Sequence, residues 1–198
     1  GTGAGGYYQQ ANAVSIGNGA GARSQGSQSV AIGISAGYTY QGSCAVAVGQ
    51  YAGYSSQGVG AIAIGTNAGT STQGSYSIAI GYNAGQYGIL DKSIAIGYNA
   101  LRVSASGPNS IAIGVSSGQN NQGQDAIAIG LLGGFTGQGS CAIAMGYDAG
   151  VFFQGGLAIA IGSSAGQSVQ GINTVAIGNL AGFSNQQPRA ISIGSQAG

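Results

Sequence analysis

Side chains able to carry acid–base, nucleophilic or metal chemistry are scarce in this sequence. Its 198 residues include no histidine and only three acidic residues, Asp91, Asp125 and Asp148. General acid–base catalysis and metal binding need several such groups brought together, and the spacing of the aspartates predicts no such grouping. The two cysteines, Cys44 and Cys141, have no histidine to activate them as nucleophiles. The sequence therefore predicts that the protein is not an enzyme, with no catalytic residue and no metal site.

One short motif is compatible with a cofactor. Gly1, Gly3 and Gly6 match the G-x-G-x-x-G pattern of dinucleotide-binding turns. That pattern has meaning only between a strand and a helix, and the residues that follow show no helical periodicity. Because a chain-wide repeat already explains these glycines, we expect no cofactor.

Charge is concentrated in one short span. Asp91, Lys92 and Arg102 are three of the seven charged residues. Irregular repeats often lie on a binding face. One interpretation is a recognition patch formed by these three residues with Tyr82 and Tyr98. The other interpretation is a local structural bulge.

A five-residue repeat organises the whole chain, as in Ser93-Ile94-Ala95-Ile96-Gly97. Its closing glycines lie 16 residues apart, except for one interval of 17. A fixed period of this length is typical of solenoids, and alternating Ile or Val with Ala predicts β-strands. We therefore predict an all-β fold, a parallel β-solenoid of about twelve 16-residue coils. It would form a single domain over residues 1–198, with irregular coils near residues 88–108.

Two further pairs recur in most coils. An Ala-Gly pair, such as Ala36-Gly37, begins three residues after the repeat glycine, and a Gln-Gly pair begins eight residues after it. We predict that the Ile and Val columns form the dry interior, facing the Ala of the Ala-Gly pair, and that the Ala between them faces a partner chain. The stacked glutamine amides are expected to form a hydrogen-bonded structural ladder at a partly solvated corner. That ladder comprises Gln25, Gln41, Gln57, Gln73, Gln122, Gln138, Gln154 and Gln170.

The two cysteines occupy the same position in coils six repeats apart. At about 4.8 Å per coil they are separated by roughly 29 Å, far beyond disulfide reach. We therefore expect Cys44 and Cys141 to be free, partly buried thiols.

These repeats resemble the YadA-like head repeats of trimeric autotransporter adhesins. The resemblance is carried by Asn109-Ser110-Ile111-Ala112-Ile113-Gly114 and Ser29-Val30-Ala31-Ile32-Gly33, each followed three residues later by Ala or Ser. It covers nearly the whole chain, although these coils are longer because of the Gln-Gly pair. It implies a left-handed parallel β-roll, three chains about one axis, and adhesion to host surfaces. Similar AIAIG repeats also look like those of phage and large-virus fibre proteins.

Composition narrows the remaining function classes. A net charge of +1 argues against a nucleic-acid partner and against a polybasic membrane patch. No apolar run is long enough to span a bilayer, so we expect no direct membrane insertion in this segment. The low charge and the two apolar strand faces predict self-association, and the resemblance sets the number of chains at three.

The favoured function is a structural and adhesive homotrimeric fibre segment, part of a longer fibre. It would be extracellular, displayed on a cell or virion surface, with a host-surface protein or glycan as candidate partner. The alternatives are an ice-binding β-solenoid and a self-assembling extracellular β-filament. The mass in solution distinguishes the three hypotheses, as trimer, monomer and polydisperse polymer.

Overall fold

Short strands joined by tight turns make up the chain in the computed structural model, which describes residues 1–103 and 107–198. Those residues form no helix, so no helix that could cross a membrane is present in the described part. Backbone contacts divide the chain into two compact units, Gly1–Arg102 and Val103–Gly198.

The first unit contains two parallel sheets. In chain order its strands are β1 (Val14–Ile16), β2 (Arg23–Gln25), β3 (Val30–Ile32), β4 (Thr39–Gln41), β5 (Val46–Val48), β6 (Ser56–Gln57), β7 (Ile62–Ile64), β8 (Thr72–Gln73), β9 (Ile78–Ile80) and β10 (Ile94–Ile96). The Ile- and Val-rich strands β1, β3, β5, β7, β9 and β10 form the first sheet, and β2, β4, β6 and β8 form the second. Paired residues are one 16-residue coil apart, as Ile62 is with Ile78.

The second unit repeats this arrangement. Its strands are β11 (Ile111–Ile113), β12 (Asn120–Gln122), β13 (Ile127–Ile129), β14 (Thr136–Gln138), β15 (Ile143–Met145), β16 (Phe152–Gln154), β17 (Ile159–Ile161), β18 (Ser168–Gln170), β19 (Val175–Ile177), β20 (Ser184–Gln186) and β21 (Ile191–Ile193). The Ile-rich strands again pair in parallel, and β12, β14, β16, β18 and β20 form the companion sheet. The predicted parallel β-solenoid with 16-residue coils is confirmed.

The repeat glycine is required by the turn that ends each Ile-rich strand. Gly162, for example, has a φ of 125°, a region that residues with a side chain rarely adopt. A Cβ added there would lie 2.6 Å from the carbonyl oxygen of Gly178 in the next coil. The 16-residue spacing of glycine therefore follows from coil-on-coil stacking.

The interior is lined by alanine and glutamine, so the prediction of an Ile and Val interior is wrong. In the second unit Ala144, Ala160 and Ala176 are fully buried and cluster with the alanines of the Ala-Gly pairs. The neighbouring Ile159 and Ile161 point the other way and are only half-buried. The Ala between the two Ile positions therefore faces the inside of its own chain, not a partner.

The narrow space between the two sheets explains why alanine, and not Ile or Val, faces the interior. A Cβ added at Gly150 would lie 2.9 Å from Oε1 of Gln154 and 3.2 Å from the Ala144 Cβ. A coil this narrow accommodates methyl groups facing a glutamine, whereas an inward Ile would overlap its neighbours. The β-branched side chains are therefore on the outer face of the first sheet.

The irregular span replaces a buried amide with apolar side chains. Ile89 stands where most other coils have glutamine, and it is 1% exposed. Leu101 stands where most other coils have the glycine of the Ala-Gly pair, with a φ of 46°, and it is fully buried. Both side chains fill the interior of the first unit. Residues 104–106, which belong to the 17-residue interval predicted to be irregular, lie outside the described residues.

Candidate functional site

The glutamine column joins the two sheets through the interior. Nε2 of Gln138 donates to the carbonyl oxygen of Ile127 at 2.8 Å and to that of Ala142 at 3.1 Å. Each of the other predicted members donates to the carbonyl oxygen eleven residues earlier, and all of them except Gln25 and Gln170 also donate to the one four residues later. The eight predicted members are at most 3% exposed. The expectation of a partly solvated corner is therefore wrong, because these side chains point inward from the second sheet.

Amide-to-amide bonds link only part of this column. Gln41 donates to Gln57 and Gln57 donates to Gln73, each over 3.2 Å. Gln170 donates over the same distance to Gln186. Sequence reasoning missed Gln186, since it is followed by Gln187 and not by glycine. Its position eight residues after Gly178 is the signal that identifies it.

Removing one of these amides is expected to destabilise the second unit. Gln138→Ala leaves the carbonyl oxygens of Ile127 and Ala142 without this donor and opens a cavity, at an expected cost of about 2–3 kcal/mol. Gln124→Ala is the matched control, because Gln124 is exposed in the same unit. Urea unfolding followed by circular dichroism measures both, and equal unfolding midpoints would contradict the bridging role.

A continuous apolar surface covers the outer face of the first sheet in each unit. We call it the Ile/Val face, and its residues are Val14, Ile16, Val30, Ile32, Val46, Val48, Ile62, Ile64, Ile78, Ile80, Ile94 and Ile96 in the first unit, and Ile111, Ile113, Ile127, Ile129, Ile143, Met145, Ile159, Ile161, Val175, Ile177, Ile191 and Ile193 in the second. No polar residue interrupts either set. Ile64 is 38% exposed although column neighbours flank it on both sides. A single chain therefore leaves this face uncovered.

The structure separates the predicted recognition residues into three groups. Tyr82 and Tyr98 are stacked, with ring centroids 5.4 Å apart. Asp91 accepts a hydrogen bond from the backbone nitrogen of Ser75 at 2.8 Å, and Lys92 is exposed beside it in a left-handed turn.

Arg102 forms the third group, together with Gln86 and Tyr87, two contacts that the sequence did not indicate. Its guanidinium lies 5.5 Å from the ring centroid of Tyr87, and its Nε donates to Oε1 of Gln86 at 3.1 Å. No hydrogen bond or ring contact joins the three groups in the described part of the chain.

Aromatic residues differ between the two units. Ten of the eleven tyrosines are in the first unit, whereas all four phenylalanines are in the second. Tyr38 and Tyr54 stack with ring centroids 5.1 Å apart, and the Arg23 guanidinium lies 5.5 Å from the Tyr38 ring centroid. Two neighbouring clefts open beside Arg23. Sequence reasoning did not find them, because they are formed by residues from three successive coils.

Both cysteines are free and exposed, so the expectation of partly buried thiols is wrong. Cys44 and Cys141 each have a φ of 57° at a turn that directs the side chain outward. Among the described residues, no group of three His, Cys, Asp or Glu side chains is arranged to hold a metal ion.

Comparison with known families identifies the repeats. Residues 56–84 and 104–117 match two copies of the YadA head domain repeat. The chain carries YadA head repeats. The first match contains β6 to β9, and therefore strands of both sheets. Searches of curated proteins and of solved structures gave no match.

The two matches cover less than a quarter of the chain. The same 16-residue register continues outside them, as in the pairing of Val30 with Val46 and of Ile159 with Val175. The same 16-residue strand pairing is therefore present in both units.

Proposed function

We propose that the chain is a segment of an adhesive homotrimeric fibre, displayed on a cell or virion surface. In this assembly the Ile/Val faces of three chains pack against one another. The observation that carries the proposal is the uninterrupted Ile/Val face, which a single chain leaves half-exposed. The YadA head repeats support the number three, since the adhesins that they resemble are trimeric.

Energetics favour burial of this face. Apolar surface removed from water contributes about 25 cal/mol per Å², and soluble monomers rarely expose large contiguous apolar patches. Charge does not keep the chains apart, because only seven of 198 residues are charged and the net charge is +1. Burial of both Ile/Val columns against partner chains therefore explains why Ile, Val or Met occupies every position of the face.

Adhesion is assigned to the surfaces that stay outside this contact. The second sheet and the turns carry the tyrosines, Arg23, Lys92 and Arg102. Tyrosine and arginine are enriched where proteins bind partners, because they combine apolar area with hydrogen-bonding groups. We include the Tyr82–Tyr98 stack, Arg102 and the Asp91–Lys92 turn in this recognition surface.

Replacing the charged residues of that surface is expected to weaken binding without unfolding the coils. We choose Asp91→Ser, Lys92→Asn and Arg102→Gln, because Ser75, Asn109 and Gln86 already occupy these positions in neighbouring coils. The triple variant should bind immobilised matrix proteins and glycan arrays at least tenfold more weakly than the parent chain, with a Tm within about 3 °C of it.

The control is Asp125→Asn with Arg189→Asn, which removes exposed charges from the second unit. This double variant should bind as the parent chain does. Unchanged binding by the triple variant would assign the irregular span to a structural role only.

A further inference from the structure

A cleft on the second sheet of the first unit has the features of a ligand site. Its volume is about 290 Å³. Its lining residues are Tyr7, Tyr8, Arg23, Ser24, Thr39 and Tyr40. Three successive coils contribute two neighbouring residues each, so parallel strand pairing holds the cleft in register. Arg23 pairs with Thr39 in the sheet, and Tyr7 forms a bridge to Arg23.

Two tyrosines line the cleft on either side of a small residue. Tyr8, Ser24 and Tyr40 occupy the same position in three coils, and the two tyrosines are 83% and 65% exposed. With about 4.8 Å per coil, the backbones of Tyr8 and Tyr40 are about 9.6 Å apart. Rings pack on aromatic faces at separations from about 4.5 Å, so the gap over Ser24 accommodates one six-membered ring.

Arg23 supplies a positive charge with unused hydrogen-bond donors. Its guanidinium is held 5.5 Å from the ring centroid of Tyr38, which is itself stacked on Tyr54. No ion pair or hydrogen bond of the Arg23 side chain is present within residues 1–103 and 107–198. An arginine held on an aromatic ring keeps the planar set of donors that binds a carboxylate through two hydrogen bonds. The second cleft, of about 270 Å³, lies beside the same guanidinium.

The other arginine of this unit lacks these features. Arg102 also lies 5.5 Å from a tyrosine ring, but its Nε is already bonded to Gln86. Of the two arginines in this unit, only Arg23 therefore combines a guanidinium without a hydrogen bond in the described residues with a cleft lined by Tyr8, Tyr40 and two hydroxyl side chains.

We propose that this cleft binds a carboxylated sugar residue of a glycan. The pyranose ring packs between Tyr8 and Tyr40, its carboxylate pairs with Arg23, and the hydroxyl groups of Ser24 and Thr39 bond the ring hydroxyls. The inference deepens the proposed adhesive function by naming a ligand class. It does not depend on the trimer, because the cleft belongs to the second sheet and the Ile/Val face belongs to the first.

The test compares two sugars that differ only in the carboxylate. Methyl β-D-glucuronide and methyl β-D-glucoside are titrated into the full chain, and binding is followed by saturation-transfer NMR and side-chain chemical shifts. We expect saturable binding of the glucuronide in the millimolar range and at least tenfold weaker binding of the glucoside.

Variants identify the cleft. Arg23→Ser and Tyr40→Ser are both expected to weaken glucuronide binding at least tenfold, and neither should disturb the coil, since Ser71 and Ser24 occupy the same positions elsewhere. Arg189→Asn removes the same charge from the second unit and should bind as the parent chain does.

Three results would overturn the proposal. They are equal binding of the two sugars, the absence of saturable glucuronide binding, and equal losses in Arg23→Ser and Arg189→Asn. The sedimentation mass tests the trimer separately from sugar binding, so failure of the cleft proposal can be distinguished from failure of the proposed trimer. A monomeric chain that still binds the glucuronide overturns the trimer alone, and a trimer that binds neither sugar overturns the cleft alone.

Discussion

Ala160→Asp is expected to unfold the coils around β17, whereas Ile161→Asp, one residue later, leaves them folded. Ala160 is fully buried between Ala144 and Ala176. A carboxylate placed there has no partner, and an uncompensated buried charge costs at least about 3 kcal/mol. Ile161 is on the outer face, where a carboxylate of a single chain reaches water.

Circular dichroism and urea unfolding at low protein concentration measure this difference. Ala160→Asp should lose part of the β-sheet signal or unfold at a much lower urea concentration. Ile161→Asp should retain the signal and instead weaken self-association. Equal destabilisation by both variants would contradict the assignment of the Ala column to the interior.

Gly162→Ala is expected to destabilise the second unit by about 3–5 kcal/mol. Two effects add up: an L-residue is strained at a φ of 125°, and the new Cβ would lie 2.6 Å from the Gly178 carbonyl oxygen. The backbone at Gly162 and the backbone at Gly178 cannot move apart freely, because they belong to stacked coils that are joined by strand pairing.

Gly156→Ala is the control in the same unit. A Cβ at Gly156 meets only the Ser140 carbonyl oxygen, at 3.5 Å, which is ordinary contact. Its free energy of unfolding should lie within about 0.5 kcal/mol of the parent value. If the two alanine variants unfold alike, close stacking of the glycine turns is not what fixes the 16-residue period.

Periodicity was sufficient to predict the coil, its length and its strands. The register follows from the repeat glycines, because few other residues can adopt the backbone conformation at these positions. The Ile-x-Ile alternation identifies the strands of the first sheet. The direction in which that strand faces could not be predicted from alternation alone, because both of its faces are apolar. The short distance between the sheets determines this direction, with the Ala95 side chain in the interior and those of Ile94 and Ile96 on the outer face.

The amide column illustrates a second limit. A recurrent glutamine fits an exposed ladder and a buried bridge equally well in sequence. The structure distinguishes them, since Gln138 reaches the carbonyl oxygen of Ile127 across the interior. The cleft at Arg23 was likewise out of reach of motif analysis, because its two walls, Tyr8 and Tyr40, are separated by two coils.

Sedimentation equilibrium of the full chain tests the central claim most directly, namely that the Ile/Val faces of three chains pack together. The expected mass is three times that of the 19.0 kDa chain. The variant Ile127→Asp with Ile129→Asp should sediment as a monomer while its β-sheet signal persists. A concentration-independent 19.0 kDa species for the parent chain would contradict the trimer and favour the ice-binding alternative.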